Sequence, residues 1–330
     1  MEKYIPPYTI TTQMLSYVSE IMEKVGKLNN YYNLEKMPVL RKNNRIKSIH
    51  SSLAIEANSL SLEQVKDVIN GKIVMGPEKE IQEVKNAYDA YSMIKDLDPY
   101  SIKDLLKVHE IITRYTVTDG GKFRNCSEGV FDGDKCIFIA PPKENVPKLM
   151  DDLFSYMKDS SKEIHPLILS SIFHYEFLFI HPFSDGNGRT ARLWQNVILS
   201  DFKEIFEYLP IETQIKKYQQ EYYNAIATCH KNGELNVFIE FMLKMINEVL
   251  NELEEETYLQ SNCSNRYLRD LLNVMELNAP LTANEIMEKL HVKSKETLRK
   301  NYLDPAIAEG LVNTTLPDKP TSKNQMYVKN

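Results

Sequence analysis

Twelve consecutive residues, His181-Pro-Phe-Ser-Asp-Gly-Asn-Gly-Arg-Thr-Ala-Arg192, gather a base, a carboxylate, a Gly-Asn-Gly turn and two arginines. Gly186 and Gly188, on either side of Asn187, allow a backbone turn whose N–H groups face one concavity. A helix beginning there adds a partial positive charge, so an anion is the fitting ligand. Arg189 and Arg192 stand three apart on one helix face, with Thr190 and Ala191 between them, and their forked guanidiniums suit successive phosphates. Asp185 flanks the nest, and one carboxylate with phosphate oxygens and waters is a common way to hold Mg²⁺. His181 is the side chain here that serves as a neutral base near pH 7. Taken singly, such a histidine is ordinary packing and such a turn an ordinary entry to a helix. Seven fixed identities at fixed spacing arise by chance in about 10⁻⁹ of windows at average usage. Gly186–Ala191 also fits the G-x-G-x-x-A dinucleotide fingerprint, but that motif needs a strand before it, and the apolar run His165–Ile180 is too long for one.

That run, apolar almost all round, predicts a helix buried on most sides, leading straight into the reactive segment. Helical periodicity extends from about residue 12 to 258; in Leu235–Leu253, for instance, Phe238, Met242, Met245, Val249 and Leu253 line one face. A mostly α chain follows. Between Phe123 and Pro142 the pattern changes: Gly129-Val130-Phe131 and Cys136–Ile139 flank Asp132-Gly133-Asp134, which predicts a β-hairpin. The acidic stretch Glu254–Asn265 ends the long helix and reads as a linker. Beyond it, Thr282 is a candidate N-cap with Glu285 three residues on, His291-Val-Lys-Ser turns, Lys295–Leu303 makes a second helix and Asp304-Pro305 restarts it. With short strands expected over Asn313–Val328, this tail reads as a small winged helix-turn-helix domain. The expected organisation is 1–100, an N-terminal helical region; 101–258, the central domain; and 263–330, the winged helix.

The chain has 330 residues, 42% hydrophobic and 26% charged, which is globular rather than disordered. With 40 Lys+Arg against 46 Asp+Glu, the net charge of −6 gives no whole-chain case for nucleic acid. Cys126, Cys136, Cys229 and Cys263 form no C-x-x-C pair, so neither zinc nor a disulfide framework is indicated. No apolar stretch is long enough for a membrane helix and no signal sequence opens the chain, so a cytoplasmic protein is expected.

His181-x-Phe183-x-Asp185-Gly-Asn-Gly-Arg189-x-x-Arg192 resembles the signature of Fic-domain proteins without a departure. The resemblance implies a Fic-type helical bundle with a β-hairpin flap and transfer of AMP from ATP to a protein hydroxyl of Ser, Thr or Tyr. It implies His181 as the base for the target hydroxyl, Asp185 as the Mg²⁺ holder and Gly186 to Arg192 as the ATP phosphate site. Ser52-Leu-Ala-Ile-Glu56 resembles the family's inhibitory helix (about 45–57), whose Glu pairs with the second arginine. Ser52, one turn earlier, is expected to steady that carboxylate. Where the family has Gly or Asn next, this chain has Ala57 and then Asn58, so the left-handed helix end is expected at Asn58. The hairpin at Gly129, Val130 and Phe131 resembles the flap that docks the target's backbone, and Tyr222-Tyr223 resembles a tyrosine pair beside adenine and ribose, with His230 where Asn is frequent. The implied partners are ATP, a protein substrate and the chain itself by auto-modification, with a homodimer left open. The tail 281–330 balances 8 basic against 6 acidic side chains, a net +2 that argues for weak DNA binding at best. Two alternatives remain at this point: an enzyme that removes AMP, and a DNA-binding regulator with a nucleotide-sensing Fic domain. The target, the nucleotide preference and the role of the tail are not legible.

Overall fold

The computed structural model describes residues 4–32, 38–132, 135–261, 266–275, 279–317, 319, 322 and 324–329. Two compact units divide the chain, Met1–Leu34 with Arg41–Asn251 and Glu35–Leu40 with Glu252–Asn330.

Among the described residues, the first unit is built from helices and one hairpin, with the start of α2 and the end of α11 counted in the second: α1 (Thr12–Tyr32), α2 (Pro38–Ile55), α3 (Leu62–Ile69), α4 (Glu78–Ser92), α5 (Ile102–Ile112), β1 (Gly129–Asp132), β2 (Lys135–Ile139), α6 (Val146–Ser160), α7 (Pro166–Ile180), α8 (Asn187–Phe202), α9 (Ile211–Lys217), α10 (Gln219–Asn232) and α11 (Asn236–Ser261). Helix α7 starts where its chemistry dictates, with Pro166 in the first turn and His165 Nδ1 accepting from the Leu167 amide at 3.2 Å. Its apolar girth is buried, and it packs along α8 around Phe173, Phe177, Phe183 and the fully buried Trp194. Trp194 satisfies its one polar atom by donating Nε1–H to the Pro99 carbonyl at 3.2 Å. Truncating such a residue to Ala typically costs about 3–5 kcal/mol, so this pair is the rigid frame on which the 181–192 segment is strung.

β1 and β2 pair antiparallel, Gly129 with Ile139 and Val130 with Phe138, with an irregularity after Val130 that sets Phe131 opposite Cys136. The expected turn at Gly133-Asp134 lies outside the described residues, as do the side chains of Val130 and Phe131. The hairpin is seated by Phe138, which stacks on His230 of α10 at 4.1 Å.

Helix α11 corrects the linker expectation: it continues through Ser261, past the acidic run at 254–256. Glutamates are good helix formers, and three of them add charge without breaking the ladder. Residues 262–265, including Cys263, lie outside the described residues.

In the second unit, α12 (Arg266–Val274), α13 (Ala283–Leu290), α14 (Lys295–Thr297) and α15 (Asp304–Ala308) enclose a small core of Leu268, Leu271, Leu272, Ile286, Leu298 and Val312. Thr282 and Glu285 form a reciprocal capping box at the start of α13. Between α14 and α15 the helix widens to π geometry over Leu298–Leu303. Pro305, lacking an N–H, cannot continue the regular ladder there. Strands β3 (Leu281–Thr282), β4 (Val312–Thr314) and β5 (Met326–Lys329) form an antiparallel sheet in the order β3-β5-β4.

Candidate active site

The turn between α7 and α8 is built by its own residues. Asn187 Oδ1 accepts from the Phe183 amide at 3.0 Å while its Nδ2 donates to the Phe183 carbonyl at 2.7 Å, closing the loop on itself. Gly186 takes φ 81°, and a Cβ there would meet Thr113 Cγ2 at 3.0 Å, so both conformation and space demand glycine. His109 of α5 is stacked on Phe183 with centroids 3.5 Å apart. Its Nδ1 accepts from the Gly121 amide at 2.9 Å, which places the proton on Nε2, and Nε2 donates to the Asp185 carbonyl at 2.9 Å. Burial pushes this imidazole down to about 4, so it is a neutral strut.

His181 caps α7 in the left-handed conformation, φ 49° and ψ 60°. Arg124 holds it there. Nε donates to the His181 carbonyl at 2.7 Å, Nη1 to the Cys126 carbonyl at 2.8 Å and Nη2 to the Pro141 carbonyl at 2.5 Å, while the Arg124 amide donates to the Pro182 carbonyl at 2.8 Å. Burial lowers the His181 pKa from its ordinary value, which leaves the ring neutral at physiological pH.

Asp185 Oδ1 accepts from its neighbouring Gly186 amide and from Arg189 Nη2 at 2.9 Å; the side chain is 44% exposed. A half-exposed carboxylate fits a Mg²⁺ that takes its other ligands from phosphate and water. Arg189 is buried, its other arm on Glu83 Oε1 at 3.2 Å.

Arg192 is 2% exposed. Nη2 pairs with Glu56 Oε1 at 2.8 Å and with the Ser52 carbonyl at 2.9 Å, and Nε donates to Ser52 Oγ at 3.1 Å. Burial disfavours its charge, but Glu56 and nearby groups outweigh this and the pKa ends raised. The Glu56 carboxylate lies over the first turn of α8, so close that a Cβ on Gly188 would collide with it. It therefore occupies the place where a helix N-terminus attracts an anion. Ser52 is bonded to the arginine rather than to the carboxylate, which corrects the expected geometry: its hydroxyl faces across to α8, and Glu56 already has a charged partner.

The end of α2 also differs. The Asn58 amide donates to the Leu53 carbonyl at 3.1 Å and the Ala57 amide to Ala54 at 3.3 Å, a helix closure that forces the residue before Asn58 into the left-handed region. That residue is Ala57, at φ 65°. Asn58 instead spends its side chain on the Glu80 carbonyl, Glu83 Oε2 and the Leu60 amide.

Of the tyrosine pair, Tyr222 is 1% exposed and its hydroxyl meets His174 Nε2 at 2.9 Å. His174 Nδ1 lies 2.5 Å from Gln195 Oε1 and so carries the proton, making Tyr222 the donor to Nε2. With Arg192 near its hydroxyl, Tyr222 is enclosed in the core and offers no face to a nucleotide. Tyr223, 43% exposed, does. His230 Nδ1 lies 2.8 Å from the Tyr175 hydroxyl and burial pushes the ring down to about 4. Sequence reasoning missed Arg124, His109 and Glu83; His109 alone left a signal, a polar side chain on the apolar stripe of Leu105, Val108 and Ile112.

A helical bundle carrying an anion nest, a neutral histidine and a seated hairpin defines a Fic-type fold. Residues 99–199 match the Fic/DOC family model, and residues 267–328 match that of the Filamentation induced by cAMP protein Fic-like, C-terminal domain. The crystal structure of a Fic family protein from Desulfovibrio desulfuricans G20 is similar with a TM-score of 0.74 at 40% identity, over 99% of this chain and 98% of that one. A fragment of Fic-1 from Caenorhabditis elegans gives a TM-score of 0.60 at 25% identity, over 75% and 72% of the two chains. The chain belongs to the Fic family. Among curated relatives, protein adenylyltransferase fic-1 of Caenorhabditis elegans is 29% identical over 252 residues, 71% of this chain and 47% of that protein. Protein adenylyltransferase Fic of Nematostella vectensis is 29% identical over 206 residues, 59% of this chain and 45% of that protein. The chain spans just under half the length of these relatives.

Proposed function

We propose that this chain is a protein adenylyltransferase that moves AMP from ATP to a Ser, Thr or Tyr hydroxyl of a protein, itself included, and that Glu56 restrains it. The observation that supports this most is that one short turn holds His181, neutral by burial, directly before a glycine-lined helix start with two buried arginines. The α8 N-terminus, Arg189 and Arg192 would take the phosphates. Asp185 would hold Mg²⁺, which when bound offsets phosphate charge. His181 would remove the proton as the target oxygen bonds to the α-phosphorus, and the bond to pyrophosphate breaks. The β1–β2 hairpin would dock the target's extended backbone by strand addition. We read the second unit as a winged helix whose +2 balance over 281–330 suits protein contact better than DNA.

The test is incubation with α-labelled ATP and a lysate, read by mass spectrometry of modified peptides. Label on protein with wild type and none with His181→Ala, while ATP binding survives, is the expected result. Label retained in His181→Ala, or AMP released from a modified target with no transfer, sinks the assignment. Among the described residues no helix is long and apolar enough to cross a membrane.

A further inference from the structure

Both arginines of the turn are paired with carboxylates from the N-terminal part of the unit. Glu56 takes Arg192; Glu83, on α4, takes Arg189. Glu83 does a second thing at the same time. Its Oε2 accepts from Asn58 Nδ2 at 2.9 Å while its Oε1 holds Arg189 Nη1 at 3.2 Å. Asn58 stands two residues after Glu56, at the exit of α2. One turn before Glu83 on the same face of α4, Glu80 Oε2 accepts from both the amide and the hydroxyl of Ser59, at 2.6 and 2.8 Å. The start of α4 therefore grips the segment that leaves the Glu56 helix, and one of the two gripping residues also holds a motif arginine.

We propose that Glu83 couples nucleotide binding to withdrawal of Glu56, a role that rests on the adenylyltransferase reading above. The Glu83 side chain is 12% exposed and that of Arg189 is 7%. When phosphate draws the Arg189 guanidinium toward the nest, Glu83 loses its counter-charge in a place where a lone carboxylate is costly. The carboxylate relieves this by turning to solvent, and in turning it releases Asn58, itself 9% exposed and held by few other contacts. The α2 exit then keeps the Ser59 clamp and the weaker Asn58 bond to the Glu80 carbonyl but has lost its link to a motif arginine, and Glu56 leaves Arg192 more readily for the incoming phosphate. Coupling of this kind is reciprocal: withdrawal of Glu56 also frees Glu83, and hence Arg189.

The test is a double-mutant cycle on the full chain, read as the dissociation constant of Mg²⁺–ATP by calorimetry. Glu56→Gly is expected to tighten binding by about tenfold in the otherwise wild-type chain and by less than about threefold in a Glu83→Gln background, because the link is already broken. Ser59→Ala loosens the same exit without touching Arg189 and is expected to leave the tenfold factor intact. An equal factor in the Glu83→Gln and wild-type backgrounds overturns the coupling while leaving Glu56 as a brake. No tightening by Glu56→Gly in any background overturns the brake itself, and the coupling with it. Should a melting curve show Glu83→Gln unfolded, Asn58→Ala cuts the link at its other end, and the same two outcomes decide.

Discussion

Arg192 and Ser52 are joined twice, Nε to the Ser52 hydroxyl at 3.1 Å and Nη2 to its carbonyl at 2.9 Å. A serine on α2 thus fixes the pose of the arginine that a phosphate would need under the proposed function. Removing its hydroxyl leaves a buried N–H without an acceptor, a loss of roughly 1–3 kcal/mol. Ser52→Ala is therefore expected to lower the melting temperature and, in a Glu56→Gly background, to weaken ATP binding several-fold. Tighter binding in that double variant would show that Ser52 serves only the glutamate.

Glu56→Gly is expected to raise auto-labelling by ATP, since the carboxylate over the first turn of α8 competes with phosphate and a reacting group displaced by about 1 Å can lose roughly 10²-fold in rate. Glu56→Gly with Arg192→Ala is expected to be inactive. Equal labelling of wild type and Glu56→Gly at matched protein and ATP would make this helix merely structural.

Burial holds the His181 pKa below the usual 6.5. A base must be unprotonated to act, so transfer falls as pH drops through the ring's own value, and the acid limb of kcat/KM against pH is expected to have its midpoint below 6.5. A midpoint above 6.5 contradicts the burial argument, and an acid limb that survives in His181→Gln assigns it to another group.

His109, His174 and His230 are pushed by burial to about 4, about 3 and about 4. Between pH 6.5 and those values the unfolded chain binds protons that the folded chain refuses, so stability falls with pH, by roughly 1.4 kcal/mol per unit for each ring. Glu176 opposes this: burial raises it to about 7, despite a hydrogen bond from Tyr4, so from 7 down to the carboxylate range the folded state binds the extra proton. His181, His50 and His165 are lowered by burial in the same sense and Glu212 is raised like Glu176, so the rings outnumber the carboxyls and a net loss remains. Thermal melts from pH 6.5 to 4.5 are expected to show falling stability, and His174→Gln is expected to flatten the slope if it folds; an unchanged slope across folded single-ring variants refutes the account.

Ala57 holds a left-handed conformation that costs an L-residue roughly 1–2 kcal/mol. Ala57→Gly is expected to stabilise the first unit by about 1 kcal/mol, after the greater freedom of glycine in the unfolded chain is subtracted. A fall in its melting temperature would show that the Ala57 methyl packs usefully.

What was legible in the sequence followed from contiguity. His181 to Arg192 lies on one turn, so its chemistry can be read in one window, and α7 announced itself by apolar girth. Arg124 left no trace because its partners are carbonyl oxygens, which every residue has, brought together from positions 126, 141 and 181. Glu83 is one of many glutamates on amphipathic helices, and only the fold sets it between Asn58 and Arg189. Tyr222 and Tyr223 are adjacent, but a helix turns about 100° per residue, which sends one ring to the core and the other to the surface.

The Arg124 clasp bears on how this protein can change over evolutionary time. The Arg124 guanidinium satisfies three carbonyls from separate stretches of chain while keeping His181 in a backbone conformation that histidine adopts at a cost. Lysine brings one compact ammonium in place of a planar fork and cannot reach all three. In a saturation-mutagenesis map scored by the proposed transfer, residue 124 is expected to stand out as sharply as residue 181, and a drifting lineage could alter the hairpin long before it could lose this one arginine.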